Sequence, residues 1–269
     1  RCIIVPPLRR PTMNSIDVII PAAGTSGESL EQATGIEYKA LIPLGDRTLL
    51  DTAISTALEL PGVRRIVVIG PPDIQAHAKK VDGVEAVPSV GSAPENILEG
   101  LKLISKGESE KAVVLTSDLP FNTSSIVEAF LTEVEPDAEF ALPLVTQADF
   151  DRTFPGTRST FVKLKESPVT LGGVFVVDEA AFTRSQQHLE QVFQARKSKF
   201  KMAKLLGAPF IIKLLTNRLS LQEISVKIES TLDCRGQAVL GADARLGFDI
   251  DGLEEWQYAA EYLSRQDNR

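Results

Sequence analysis

Asp17-Val18-Ile19-Ile20-Pro21-Ala22-Ala23-Gly24 is an apolar run that gives way to three small residues. Asp17 to Ile20 has the make-up of a short buried β-strand. Small residues directly after a strand let a ligand approach the backbone closely. The polar stretch Thr25 to Glu37 follows, with Gly27 and Gly35 and no apolar period. Lys39 then stands just ahead of a second apolar segment. A strand, a small-residue loop and a lone lysine fit a polyphosphate site, with backbone N–H groups around the oxygens and an ammonium to neutralise them. They fit a tight turn and a surface lysine equally well, so the decision rests on the rest of the chain.

Outward from this loop, apolar residues at three- and four-residue steps predict a helix over Leu49 to Leu58, stopped by Pro61-Gly62. Arg65 to Gly70 is a continuous β-branched run, the signature of a strand buried on both faces. Helix around Ile74 to Lys80, strand at Val84 to Pro88, helix from Ser92 to Ile104, strand at Lys111 to Thr116 and helix from Ser124 to Val134 follow. This alternation predicts a parallel sheet with helices on both faces. Ligands of such sheets sit beyond the carboxyl ends of the strands. Ala22 to Gly24, Gly70, Pro88 to Ser92 and Asp118 all fall at strand ends, so one crevice should collect them. The second half is less regular. Strands are expected at Glu139 to Val145, Thr160 to Lys165, Leu171 to Val177, Gln237 to Leu240 and Leu246 to Ile250. Helices are expected over Ala180 to Leu206, Ser220 to Leu232 and Leu253 to Leu263. The simplest division is a single domain over residues 13–269 with a partly helical insertion at about 149–234. Residues 1–12, with three prolines and three arginines, read as a disordered extension.

The 269 residues carry a net charge of −7, which argues against a nucleic-acid partner. No apolar run reaches the roughly 18 residues of a membrane span. Cys2 and Cys234 form neither a disulfide framework nor a metal cluster, which points to a reducing cytoplasm. His77 and His188 have no partner at ligand spacing and read as surface residues. The oligomeric state is open.

Asp118 ends one strand, and Asp249 and Asp251 end another. Two strand-end carboxylates from distant segments can hold Mg²⁺, which prefers oxygen ligands and keeps positions for water and phosphate. Asp118 and Asp251 are the first choice as ligands, with Asp249 the lesser one.

Pro21-Ala22-Ala23-Gly24 followed by Lys39-Ala40-Leu41-Ile42-Pro43-Leu44-Gly45 resembles the opening signature of the MobA-like nucleotidyltransferases. Ser117-Asp118-Leu119-Pro120 resembles their Asp-x-Pro metal motif. Gly172-Gly173 resembles their acceptor-side glycine pair, and Asp249-Ile250-Asp251 their closing element. The resemblance spans Asp17 to Leu263. It implies a Rossmann-like three-layer α/β/α fold of the nucleotide-diphospho-sugar transferase type, with a mixed, mostly parallel sheet. It also implies a Mg²⁺-dependent transfer of NMP from an NTP to a phosphorylated small-molecule acceptor. Lys39, Asp118 and Asp251 would be the catalytic residues. Ala22, Ala23, Gly24, Thr25 and Ser26 would hold the phosphates, and Gly70, Ser92 and Asn96 the base and ribose. Arg158, Gly172 and Gly173 would face the acceptor.

The family's loop runs Ala-Ala-Gly-x-Gly-x-Arg-Met; here Ser26 stands for the second glycine, Glu28 for the arginine and Ser29 for the methionine. An arginine there stabilises charge on the transferred phosphoryl group, which Glu28 cannot do. Arg158 is the first candidate to replace it, ahead of Arg196, Lys197 and Lys199. Two other readings stay open: a nucleotide-binding regulatory module that has lost turnover, and a glycosyltransferase that uses a nucleotide sugar. A NAD-dependent dehydrogenase is excluded, because no Gly-x-Gly-x-x-Gly follows the first strand.

Overall fold

The computed structural model describes residues 15–267, apart from 105–110, 179, 182–183, 186, 189–190, 192–194 and 196–197. The expected extension at 1–12 lies outside the described residues, as do Arg196 and Lys197; of Lys199 only the backbone is described. In chain order the strands are β1 (Ile16–Pro21), a small hairpin of β2 (Pro43–Leu44) and β3 (Arg47–Thr48), β4 (Val63–Gly70), β5 (Val84–Pro88), β6 (Lys111–Leu115), β7 (Phe140–Thr146), β8 (Val162–Lys163), β9 (Pro168–Leu171), β10 (Val174–Asp178) and β11 (Gly236–Leu240). Among the described residues the main sheet runs β5-β4-β1-β6-β10-β7-β9-β8, with β11 added to the other side of β7. Strands β5, β4, β1 and β6 are parallel, as are β7 and β11, whereas β9 and β10 run against β7. The sheet is therefore mixed and mostly parallel, flanked by helices, as the resemblance implies; the alternation of strands and helices predicts its parallel part.

All six residues of β1 are buried. Ile16, Val18 and Ile20 join one core cluster while Ile19 joins another, so alternate side chains meet different helices. On the first face lie helices α2 (Leu49–Glu59), α3 (Pro72–Ala78) and α5 (Ser124–Glu133). On the second lies α4 (Ala93–Ile104), through Leu98, Leu101 and Ile104. Helix α2 starts at a capping box, with the Thr48 hydroxyl accepting from the Asp51 N–H and the Asp51 carboxylate accepting from the Thr48 N–H. Asp51 also meets His77 Nε2 at 2.7 Å, so half-buried His77 joins α3 to α2 and is not a bare surface residue.

Two of the strands expected in the second half differ. Of Thr160 to Lys165, only Val162–Lys163 is a strand. Leu246 to Ile250 is not a strand; a 3₁₀ turn at Ala244–Gly247 is followed by extended chain at Phe248, because its backbone partners are loop atoms at strand ends. The stretch 149–234, read from sequence as a partly helical insertion, holds β8, β9 and β10 of the main sheet. Helix α6 (Gln147–Thr153) precedes these strands; helices α7 (Lys199–Leu206), α8 (Ala208–Leu215) and α9 (Leu221–Leu232) follow them, and Phe210, Leu214 and Ile224 pack against a small cluster around Leu144 and Val169. The last helix, α10 (Leu253–Asp267), is tied to the segment after Lys39 by a 3.0 Å bond from Trp256 Nε1 to Pro43 O. Among the described residues no helix is long and apolar enough to cross a membrane.

Candidate active site

The loop after β1 is closed by its own backbone. Lys39 N–H donates to Gly24 O at 2.9 Å and Ser26 N–H to Glu37 O at 2.7 Å, around a bridge between Thr25 and Tyr38. Ala22 N–H donates to Ile69 O at 2.8 Å. The N–H groups of Ala22 and Ser26 are thus spent on the fold. Those of Ala23, Gly24 and Thr25 have no partner among the described residues. A Cβ added at Gly24 would meet nothing within 4 Å, so the space beside these N–H groups is open. Buried Ser26 Oγ also lacks a partner. Three free successive N–H groups and an orphaned hydroxyl suit an anion. Helix α1 (Glu28–Thr34) then begins, with exposed Glu28 in its first turn, where the helix dipole favours a carboxylate.

Asp118 lies just past the end of β6, and Ser117 Oγ donates to Pro21 O at 3.0 Å, which joins this turn to the end of β1. The Ile250 N–H donates to Asp118 O at 3.0 Å. In extended chain, alternate side chains share a side. Fully buried Ile250 therefore faces the core while Asp249 and Asp251 face out together. One oxygen from each of Asp118, Asp249 and Asp251 lies within 4.8 Å of the others. Asp249, expected as the lesser ligand, is in the same group as the other two.

Lys39 reaches into this group. Its Nζ is 2.7 Å from Asp251 Oδ1, 2.9 Å from Ile250 O and 3.5 Å from Asp118 Oδ2. Burial works against its charge, but Asp118, Asp251 and Asp249 outweigh it and hold the ammonium above the usual lysine range. Asp249 is pushed up to about 6, first by desolvation of its carboxyl and then by Asp251 and Asp118.

Beside the carboxylates is a cavity of about 220 Å³ lined by Phe150, Arg158, Thr170, Phe248, Asp249 and Asp251, among others. Its aromatic floor is fixed by neighbours: Phe154 sits 5.3 Å from Phe150 and 4.7 Å from Phe248, ring centre to ring centre. Phe154 is also fully buried and anchors the turn that follows. Gly156 takes a φ of +87° there, which few other residues tolerate, and the chain turns so that exposed Arg158 reaches the cavity rim. A second cavity, of about 280 Å³, also touches Asp249 and is lined by Asp118, Gly172 and Gly173.

Other expected residues have partners within the protein. Gly70 is a packing glycine: an added Cβ would sit 2.6 Å from Ile74 Cβ. Asn96 is fully buried; its Oδ1 accepts from Val90 N–H at 2.8 Å and its Nδ2 donates to Gly91 O at 3.2 Å. It shapes the loop before α4. The Ser92 N–H is held by Glu95 at 2.6 Å. Gly172 and Gly173 make room for protein, since a Cβ at Gly172 would lie 3.0 Å from Leu246 O and one at Gly173 would run into Thr116 and Leu119. Their N–H groups bind Pro143 O and Leu246 O. The composition around them gave no sign that Phe150, Phe248 and Thr170 would line the site.

The family model described as the MobA-like NTP transferase domain matches residues 18–210. The chain belongs to this family. No curated protein matches it in sequence. A solved structure described as a hypothetical transferase from Thermus thermophilus is 25% identical, with a TM-score of 0.76 over 90% of this chain and 99% of that one. A 2-C-methyl-D-erythritol 4-phosphate cytidylyltransferase, also from Thermus thermophilus, is 18% identical, with a TM-score of 0.55 over 93% of this chain and 99% of that one. A CMP:2-keto-3-deoxy-manno-octonic acid synthetase complexed with CTP is 14% identical, with a TM-score of 0.61 over 94% of this chain and 99% of that one. The last two share the fold. Family membership supports nucleotidyl transfer in general for this MobA-like protein.

A divalent ion of Mg²⁺ type suits the donor set of the MobA-like domain. The three carboxylates supply hard oxygen ligands with no nitrogen or sulfur among them. Three carboxylates against one ammonium also leave two negative charges for a cation to balance.

Proposed function

We propose that this MobA-like protein transfers NMP from an NTP to a phosphorylated small-molecule acceptor. A phosphate oxygen of the acceptor attacks the α-phosphorus. The bond from that phosphorus to the bridging oxygen breaks, and pyrophosphate leaves with the electron pair. Asp118, Asp251 and Asp249 would hold Mg²⁺, which supplies charge neutralisation at the phosphates. The N–H groups of Ala23 to Thr25 bind phosphate oxygens, and Lys39 neutralises them. Arg158 takes the acceptor phosphate at the cavity rim, where its planar fork can hold two oxygens. Positioning and charge account for most of the catalysis.

The observation that carries this reading is the meeting of Lys39 with Asp118 and Asp251 beside a loop of free N–H groups. The test is pyrophosphate release from each of the four NTPs with Mg²⁺ and a panel of sugar and polyol phosphates. Release that needs both NTP and acceptor supports transfer. Exposed Glu28 favours a second reading, a binding module without turnover. Metal-dependent NTP binding without pyrophosphate release from any acceptor would select it.

A further inference from the structure

We propose that Lys39 is the internal counter-ion of the carboxylate group, and that divalent metal and triphosphate bind cooperatively because each releases Lys39 for the other. The inference rests on the function proposed above. An ammonium has three N–H donors. Those of Lys39 have three acceptors around them: Asp251 Oδ1, Ile250 O and, more distantly, Asp118 Oδ2. None is left over for a phosphate oxygen. For Lys39 to neutralise a triphosphate, it must give up at least one carboxylate. In the same way, a cation that enters between Asp118, Asp249 and Asp251 meets an ammonium already bound to two of them.

The attachment of Lys39 lets the exchange be local. Its backbone N–H is fixed to Gly24 O at 2.9 Å, so the residue is rooted in the phosphate loop while its tip sits on the carboxylates. Only side-chain rotation is needed to carry the charge from one partner to the other. Metal alone competes with Lys39, and triphosphate alone competes with Asp118 and Asp251. When both arrive, the metal takes the carboxylates and the ammonium takes the phosphates. Linkage makes the effect reciprocal: whatever metal does for triphosphate affinity, triphosphate does for metal affinity.

Two variants separate the arms. Mn²⁺ binding followed by electron paramagnetic resonance, without nucleotide, should be tighter in Lys39→Met than in the wild type by about tenfold or more, the size of one charge-assisted hydrogen bond. Inorganic tripolyphosphate, which carries no base, should bind Asp251→Asn in EDTA tighter than wild type by a similar factor, because Lys39 is partly freed. The second variant removes a charge from a crowded acidic group and keeps the test usable if Lys39→Met does not fold. Equal or weaker Mn²⁺ binding by Lys39→Met, with wild type binding the ion, would overturn the exchange and leave the metal site standing. Unchanged tripolyphosphate affinity in Asp251→Asn would also overturn it. If no form binds Mn²⁺ even with tripolyphosphate present, the metal-site reading itself fails.

Discussion

Asp249→Asn should make the metal-free protein more stable at pH 8, although it removes a charged group from the site. Asp249 is raised from 3.8 to about 6 by desolvation and by the carboxylates of Asp251 and Asp118. The folded state therefore holds a proton that the unfolded chain gives up between these values. Stability from this group is fully present below about 3.8 and is lost as pH rises through 6. At 1.36 kcal/mol per pH unit, the shift corresponds to about 3 kcal/mol. Asp249 is an exposed residue, so solvent screening brings the expected gain nearer to about 1 kcal/mol. Asparagine has no charge to lose, so the variant's advantage should grow from pH 4 to pH 7 and then level off. Urea unfolding in EDTA at pH 4, 6 and 8 measures it. An equal difference at all three values, or a less stable variant at pH 8, would refute the electrostatic argument. With Mn²⁺ present the order should reverse, because the wild type then gains binding energy that the variant cannot.

Gly70→Ala should cost about 1–3 kcal/mol by urea unfolding, since Ile74 on α3 must move; a neutral effect would mean that α3 yields freely. Arg158→Gln should leave stability within about 0.5 kcal/mol, because the residue is exposed. It should lower kcat/KM for the acceptor by about tenfold or more, as expected for a lost charge-assisted phosphate contact; unchanged kinetics would remove Arg158 from the site. Glu28→Arg should tighten triphosphate binding about fivefold, worth roughly 1 kcal/mol, at a cost of a few tenths of a kcal/mol at the start of α1; isothermal titration that shows no gain would place Glu28 out of reach of the phosphates.

The fold was legible because its signals are local. Ile16 to Pro21 is buried throughout and reads as a continuous apolar run, and Asp118 follows the next such run in the sheet. Asp249-Ile250-Asp251 was legible for a simpler reason: an apolar residue between two carboxylates in extended chain puts both carboxylates on the outer side, whether or not a strand forms. Glycine was the ambiguous signal. A missing Cβ shows that something approaches closely but not whether that is a ligand or a side chain. At Gly70 it is Ile74, and at Gly172 it includes Leu246, whereas at Gly24 the space stays open. Asn96 was ambiguous for a related reason, since a polar residue in the first turn of a helix can serve the loop before it as readily as a ligand.

No periodicity links Lys39 to partners that lie 79 and 212 residues away, and only the resemblance to the family grouped Lys39 with Asp118 and Asp251. What brings them together is sheet order. Strands β1 and β6 are neighbours, so the loops after them meet, and Ser117 bonds directly to Pro21. Gly173 then fixes Leu246, and Asp118 fixes Ile250, which carries Asp249 and Asp251 across the same strand ends. The long separation has a consequence for stability. Each of these contacts closes a large loop, so the site forms only when the sheet and α10 are in place. A lysine and three carboxylates held this way are crowded before any ligand arrives, and under the exchange proposed above a divalent cation and a polyphosphate together would relieve that crowding.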